Sequence, residues 1–187
     1  VMTVGAELSP LASPEFGSGP PGQESIELAR VVDRGIRESG AVDLSKLVIE
    51  KGRKVWMVYV DIYVLDSGGN MFDAAALASI SALDNTVVPG LRYDLGPDEP
   101  LSLRCRPVSA TNVKIGDNIV WDPSLDEEAA AQARLTLSMD EKGHVRACQM
   151  GLGGGYLPEE VEASLEEAAE LTKRLRAELF SLDDTIM

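Results

Sequence analysis

The chain has 187 residues, 44% apolar and 26% charged, enough to bury one core or the cores of two small lobes. Its formal net charge of −14 excludes a surface that binds polyanions everywhere, so any nucleic-acid contact must be local or shared with a more basic partner. No run of 18 apolar residues and no signal peptide occurs, which predicts no membrane span and a cytoplasmic protein. Residues 122–187 carry 15 acids and 6 bases, so most of the negative charge lies in the last third. Cys105 and Cys148 form no CxxC pair and read as reduced core residues.

Residues 1–8 read as a strand already under way, and the expectation is that residues preceding Val1 are missing. Residues 9–22 hold four prolines and three glycines and form a loop. A helix is predicted over 24–39, capped by Ser25 or Gln23 and leaving at Gly40. At about 100° per residue, Leu28, Val31, Val32 and Ile36 share one arc. Arg30, Arg34 and Arg37 fall within about 60° of each other on the opposite arc. They form either a solvated face or a local anion site.

Residues 47–49 read as a short strand, and Gly52 as a turn. Residues 54–65 are almost wholly apolar and predict a central strand covered on both faces. Asp61 in its middle is either paired or faces a cleft, with a paired or rim-exposed acid the favoured reading. The turn at 66–70 is glycine-rich and leads into a helix over 71–83. That helix is rich in alanine and serine, which predicts very close packing. Such a turn can cradle phosphate on its amides or serve geometry alone.

A short strand at 85–88 and a polar loop at 91–102 follow. Residues 107–115 and 118–121 predict a hairpin about Gly116 and Asp117. Residues 133–139 and 145–150 predict a second hairpin. Pro158 opens an amphipathic helix to about Leu182, with a stripe of Val161, Leu165, Ala168, Leu171, Leu175 and Leu179. The expected fold is α/β of the α+β type, with mixed sheets and packed helices. The lobes are placed at 1–90 and 107–187, joined by a linker at 91–106.

His144, the single histidine, has no partner at ligand spacing and reads as a surface residue, which excludes His-centred triads and zinc sites. No Walker A loop or GxGxxG occurs. Asp122, Asp126, Glu127 and Glu128 follow a strand directly. They could hold a metal or supply a general acid, or they could form a solvated turn at a helix N-terminus. No cofactor and no metal are expected.

Several strings carry a resemblance. They are Pro10-Leu11-Ala12-Ser13-Pro14, Gly19-Pro20-Pro21, Ile26-Glu27-Leu28-Ala29-Arg30-Val31-Val32-Asp33-Arg34, Leu44-Ser45-Lys46-Leu47-Val48-Ile49-Glu50, Val60-Asp61-Ile62-Tyr63-Val64-Leu65-Asp66 and Val120-Trp121-Asp122-Pro123. The chain closely resembles the ribonuclease PH-like subunits of the exosome, and in particular the non-catalytic subunit of the archaeal ring. The likeness is collinear over nearly the whole chain. The family has a further N-terminal stretch, in keeping with the mid-strand start.

The resemblance implies a ribonuclease PH-like fold and a hexameric ring of three heterodimers. Each heterodimer pairs this chain with a catalytic subunit, and RNA-binding cap proteins and single-stranded RNA complete the set of partners. Active members degrade RNA from its 3′ end with phosphate as the attacking group. They use an arginine pair at the entry of the helix over 24–39, a glycine-hydroxyl-arginine cradle after the long strand, and two aspartates in the second lobe. Here those positions hold Gln23 and Glu24, then residues 70–73, then Asp122 and Glu128. An acid at the helix entry repels both RNA and phosphate. The implied role is non-catalytic, with Arg30 and Arg34 reaching RNA near the partner's active site and Arg37 left as a solvated residue. The rival expectation is a phosphate-dependent 3′ exoribonuclease using Asp122 and Glu128.

Overall fold

A computed structural model of the chain describes residues 1–180. The first lobe is built on β1 (Met2–Leu8) lying parallel to β4 (Val58–Val64), in register from Met2↔Val58 to Leu8↔Val64. Parallel neighbours need a crossover, and α1 (Gln23–Ser39) supplies it. Leu28, Val31, Val32 and Ile36 are all buried, as the helical period requires. Gly40, at φ 65°, closes the helix by donating its N–H to the Arg37 and Ile36 carbonyls. The start differs from expectation. Gly22 occupies the cap position, and no side chain caps the helix. Ser25 is buried instead, its hydroxyl donating back to the Gly22 carbonyl at 3.4 Å.

The apolar run at 54–65 is not one covered strand. A 3₁₀ turn over Leu44–Leu47 leads to β2 (Val48–Glu50), which pairs with β3 (Lys54–Val55) about Gly52. The chain then breaks at Trp56 and Met57 before β4 begins. Within β4, Val58, Val60, Ile62 and Val64 face the helices, while Tyr59 and Tyr63 are 63% and 64% exposed. Asp61 shares that outer face and is exposed, facing an open cavity rather than a partner among the described residues. Alternation is present, but tyrosines on the open face disguise it as continuous apolarity.

From β4 a turn enters α2 (Met71–Asp84), followed by β5 (Val87–Val88) and β6 (Glu99–Pro100), which pair with each other. Ala75 and Ser79 give α2 its close approach to the rest of the fold.

The second lobe is a four-stranded antiparallel sheet in the order β10-β9-β7-β8. Its strands are β7 (Val108–Ile115), β8 (Asn118–Trp121), β9 (Ala133–Met139) and β10 (Val145–Gly151). Between β8 and β9, α3 (Leu125–Ala130) begins with a reciprocal capping box of Ser124 and Glu127. The final helix, α4 (Pro158–Phe180), lies across β7 and β9. Its seam is Ser164, Ala168 and Thr172, with Leu165 and Leu171 as flanks, so the expected leucine stripe is rotated and Leu179 is exposed. The predicted end near Leu182 lies outside the described residues. Helix α1 also packs on β10, and α2 on β7.

Two smaller expectations change. Cys105 is half-buried, but Cys148 is exposed and is no core residue; neither is in a disulfide. His144 is exposed as expected, yet it has an acidic neighbour, its Nδ1 lying 3.2 Å from Asp140. Burial alone would raise Asp140. Hydrogen bonds from the His144 N–H, the Arg146 guanidinium and the Lys142 N–H outweigh that and hold it well below the carboxylate range.

Candidate functional site

The turn after β4 places Asn70 in the left-handed region at φ 45° and buries it. Its amide nitrogen donates to Asp73 at 2.8 Å and to Asp122 at 2.7 Å, and its backbone N–H donates to Glu128 at 3.1 Å. The structure thus gathers Asp122, after β8, and Glu128, on α3, around one asparagine at the start of α2. Asp73 also accepts from the Thr111 N–H and hydroxyl, both at 2.7 Å. Burial pushes Asp73 up, against the bonds from Asn70 and Thr111, with the Asp122 charge adding to the rise. Burial also pushes Glu128 up, opposed by the Asn70 N–H and by Arg134.

The turn is pinned against the second lobe rather than standing open. Gly69 has φ 106°, and a Cβ there would lie 2.4 Å from the Pro123 carbonyl oxygen, so the turn rests directly on the backbone beside Asp122. The Asn70 N–H is taken by Glu128, and the Ser67 N–H by the Asp66 carboxylate at 3.0 Å. Between the carboxylates sits an amide rather than room for a cation. Among the described residues no group of His, Cys, Asp and Glu is arranged to hold a metal ion.

Gln23 and Glu24 stand apart from this knot. They line an open cavity of about 770 Å³ between the proline-rich loop and the outer face of β1 and β4. Glu7, Glu15, Glu24 and Asp61 line it too, and no lysine or arginine does. An anion would meet only like charge there.

The arginine stripe of α1 divides into three fates. Arg37 is exposed, as expected of a solvated residue, and it also holds Asp33 at 2.6 Å and donates to the Met2 carbonyl at 2.8 Å, tying α1 to β1. With the Asp33 hydrogen bond as the main cause, its pKa is raised. Arg34 is half-buried and donates to the Gln149 side chain on β10 at 2.5 Å. Arg30 is exposed and makes no ion pair among the described residues.

Arg134 escaped the sequence reading. From β9 it binds Glu27 of α1, and its guanidinium lies 4.0 Å from the centroid of the Phe72 ring on α2. Gly151, its register partner on β10, makes the room: a Cβ there would lie 2.6 Å from an Arg134 nitrogen. A lone cation in an apolar strand was the only available signal. The cation nearest the knot is therefore already neutralised by a carboxylate.

Residues 1–89 match domain 1, and residues 105–171 domain 2, of the 3′ exoribonuclease family. The exosome complex component Rrp42 of Archaeoglobus fulgidus is 52% identical over 178 residues, covering 94% of this chain and 68% of that protein. Its counterpart in Methanocella arvoryzae is 48% identical over 179 residues, covering 96% of this chain and 69% of that protein. A chain in the structure of the Archaeoglobus fulgidus exosome with RNA bound to the active site matches with a TM-score of 0.92 and 50% identity, over 95% of this chain and 70% of that one. A chain of an archaeal exosome core matches with a TM-score of 0.86 and 46% identity, over 95% of this chain and 68% of that one. Among the described residues no helix is long and apolar enough to cross a membrane. The chain belongs to the 3′ exoribonuclease family of ribonuclease PH-like proteins, on the branch of the exosome components called Rrp42.

Proposed function

We propose that this chain is a non-catalytic ring subunit of a cytoplasmic, RNA-degrading exosome. In this reading it pairs with a catalytic ribonuclease PH-like subunit, three such pairs close a hexameric ring, and RNA-binding caps feed it single-stranded RNA. It shapes the partner's phosphorolytic site and lends cations to the RNA path. The observation that carries the proposal is the closed knot at Asn70. The groups at the positions of the family's cradle and aspartates bind one another, with Gly69 seated on the Pro123 backbone. Phosphorolysis needs a bound and oriented phosphate, and here the Ser67 and Asn70 amides and the Arg134 guanidinium are already held by carboxylates. Glu24 at the helix entry and the pairing of Arg134 with Glu27 support the same reading.

Arg30 is the RNA contact, and Arg34 joins it by exchanging the Gln149 amide for a phosphate oxygen, a stronger charge-assisted partner. The division into lobes at 1–90 and 107–187 with a linker at 91–106 is supported by the two family matches, which leave residues 90–104 between them.

Single-stranded RNA with inorganic phosphate tests this reading. The chain alone is expected to release no nucleoside diphosphate, and the mixed complex with its catalytic partner to release it, with or without Asp122→Asn. Activity of the lone chain that Asp122→Asn abolishes would instead establish an enzyme in its own right. Arg30→Glu with Arg34→Glu should weaken RNA binding by the assembled ring about tenfold. Two lost phosphate contacts should also lower the salt slope, by roughly 1.4 for single strands. Unchanged affinity and slope would leave the stripe without an RNA role.

A further inference from the structure

One edge of β4 pairs with β1; the other pairs with no strand among the described residues. This edge is seven residues long and apolar but for Asp61, with no proline or lysine to blunt it, and such an edge is a template for another strand. It borders a groove of about 530 Å³ whose opposite wall is α2 and whose end is closed by Val87. Ala78 and Ala82, exposed and one turn apart on α2, line that wall. The alanine-rich helix thus keeps an open, shallow face beside an unpaired strand. Met57, Tyr59 and Val87 line the same groove and are 47%, 63% and 55% exposed.

We infer that an extended strand of the partner subunit pairs with the free edge of β4, its side chains seated between Ala78 and Ala82 on one side and Met57 and Tyr59 on the other, with a lysine or arginine set against Asp61. The inference rests on the ring-subunit reading and gives that contact an address. Charge selects the occupant. Asp61 is the only charged residue of β4 and makes no ion pair among the described residues. It stands at the middle of the seven-residue strand, so a second copy pairing antiparallel about that middle would set Asp61 against Asp61. Two chains of net charge −14 would also repel each other. A partner strand with a cation at the matching position removes both objections. Main-chain pairing supplies the affinity, and the small residues of α2 let the added backbone come close.

The test uses the full chain and a catalytic ribonuclease PH-like subunit of an archaeal exosome. Ala78→Arg fills the groove, whereas Ala74→Arg places the same side chain one turn earlier on α2, outside the groove lining. Both variants should keep the wild-type unfolding midpoint. Ala78→Arg should weaken assembly with the partner at least tenfold and Ala74→Arg should leave it unchanged. In the wild type, hydrogen exchange of the amides of residues 58–64 should slow when the partner is added, which decides the matter even if Ala78→Arg fails to fold. Equal assembly by both variants, or unchanged exchange in the wild-type complex, would overturn the inference while leaving the ring reading intact. Self-association of the wild type that Ala78→Arg abolishes would make a second copy the occupant and overturn it too. A wild-type chain that assembles with no such subunit would remove the ring reading, and this inference with it.

Discussion

Asn70 donates both hydrogens of one carboxamide to carboxylates from two elements and its backbone N–H to a third. An aspartate at this position would place a third negative charge between Asp73 and Asp122. Asn70→Asp should therefore cost about 2–4 kcal/mol at pH 7.5. The raised Asp73 pKa sets the sign, because in this cluster the folded state binds protons more tightly than the unfolded chain. The penalty belongs to the ionised cluster. It is complete above the folded pKa and is lost as pH falls through it. Urea unfolding of both proteins at pH 7.5 and pH 5 checks this, and the gap in stability should narrow at the lower pH. A gap that holds constant would mean that packing, not charge, is responsible. In the sequence, residue 70 showed only as one of the positions 70–73 that match the family's cradle. Its bonds span 52 and 58 residues, a separation no local pattern reports.

Elements with one buried face were readable, and those with ambiguous faces were not. Helix α1 follows its apolar period almost to the residue, because Leu28, Val32 and Ile36 meet a single wall. Helix α4 was misread by about one position, since leucines flank its seam while Ser164, Ala168 and Thr172 occupy it. Small residues carry little hydropathy, but they allow a helix to lie close to a sheet. Ala168→Leu should cost about 1–3 kcal/mol by overpacking, whereas Leu179→Ala should fall within about 0.5 kcal/mol. Chemical denaturation of the two variants checks the orientation of α4, and the reverse ranking would restore the leucine stripe. For β4, the aromatic side chains of the outer face concealed the strand's alternation. The count of strands beside it was never in the local sequence.

The whole molecule carries −14, and several of its cations are occupied within the fold: Arg37 by Asp33, Lys114 by Glu160, Arg134 by Glu27, Arg146 by Asp140. The remaining acids repel one another across a small body, and salt screens them. Raising salt from about 0.01 M to about 0.15 M, which shortens the Debye length from about 30 Å to about 8 Å, should raise the thermal midpoint of the lone chain. The same change should weaken RNA binding by the assembled ring. Calorimetry and filter binding on one salt series check the opposed signs, and a midpoint that falls with salt would mean that internal ion pairs outweigh the repulsion. Both lobes should melt in one transition, since α1 packs on β10 and α2 on β7. Most elements on either side of residues 91–106 were legible in the sequence because each is local. The sequence did not show how α1 and α2 bind them together, since only tertiary contact reveals it.

The seat of Gly69 on the Pro123 backbone bears on any return to activity. On the non-catalytic reading proposed above, an arginine pair at 23 and 24 and a hydroxyl in the turn would not by themselves open it, because Gly69 rests on the Pro123 main chain. Main-chain atoms cannot be trimmed by point substitution. On that reading, the turn would have to be rebuilt before any such side chain could act, so a return to activity would need more than point substitutions.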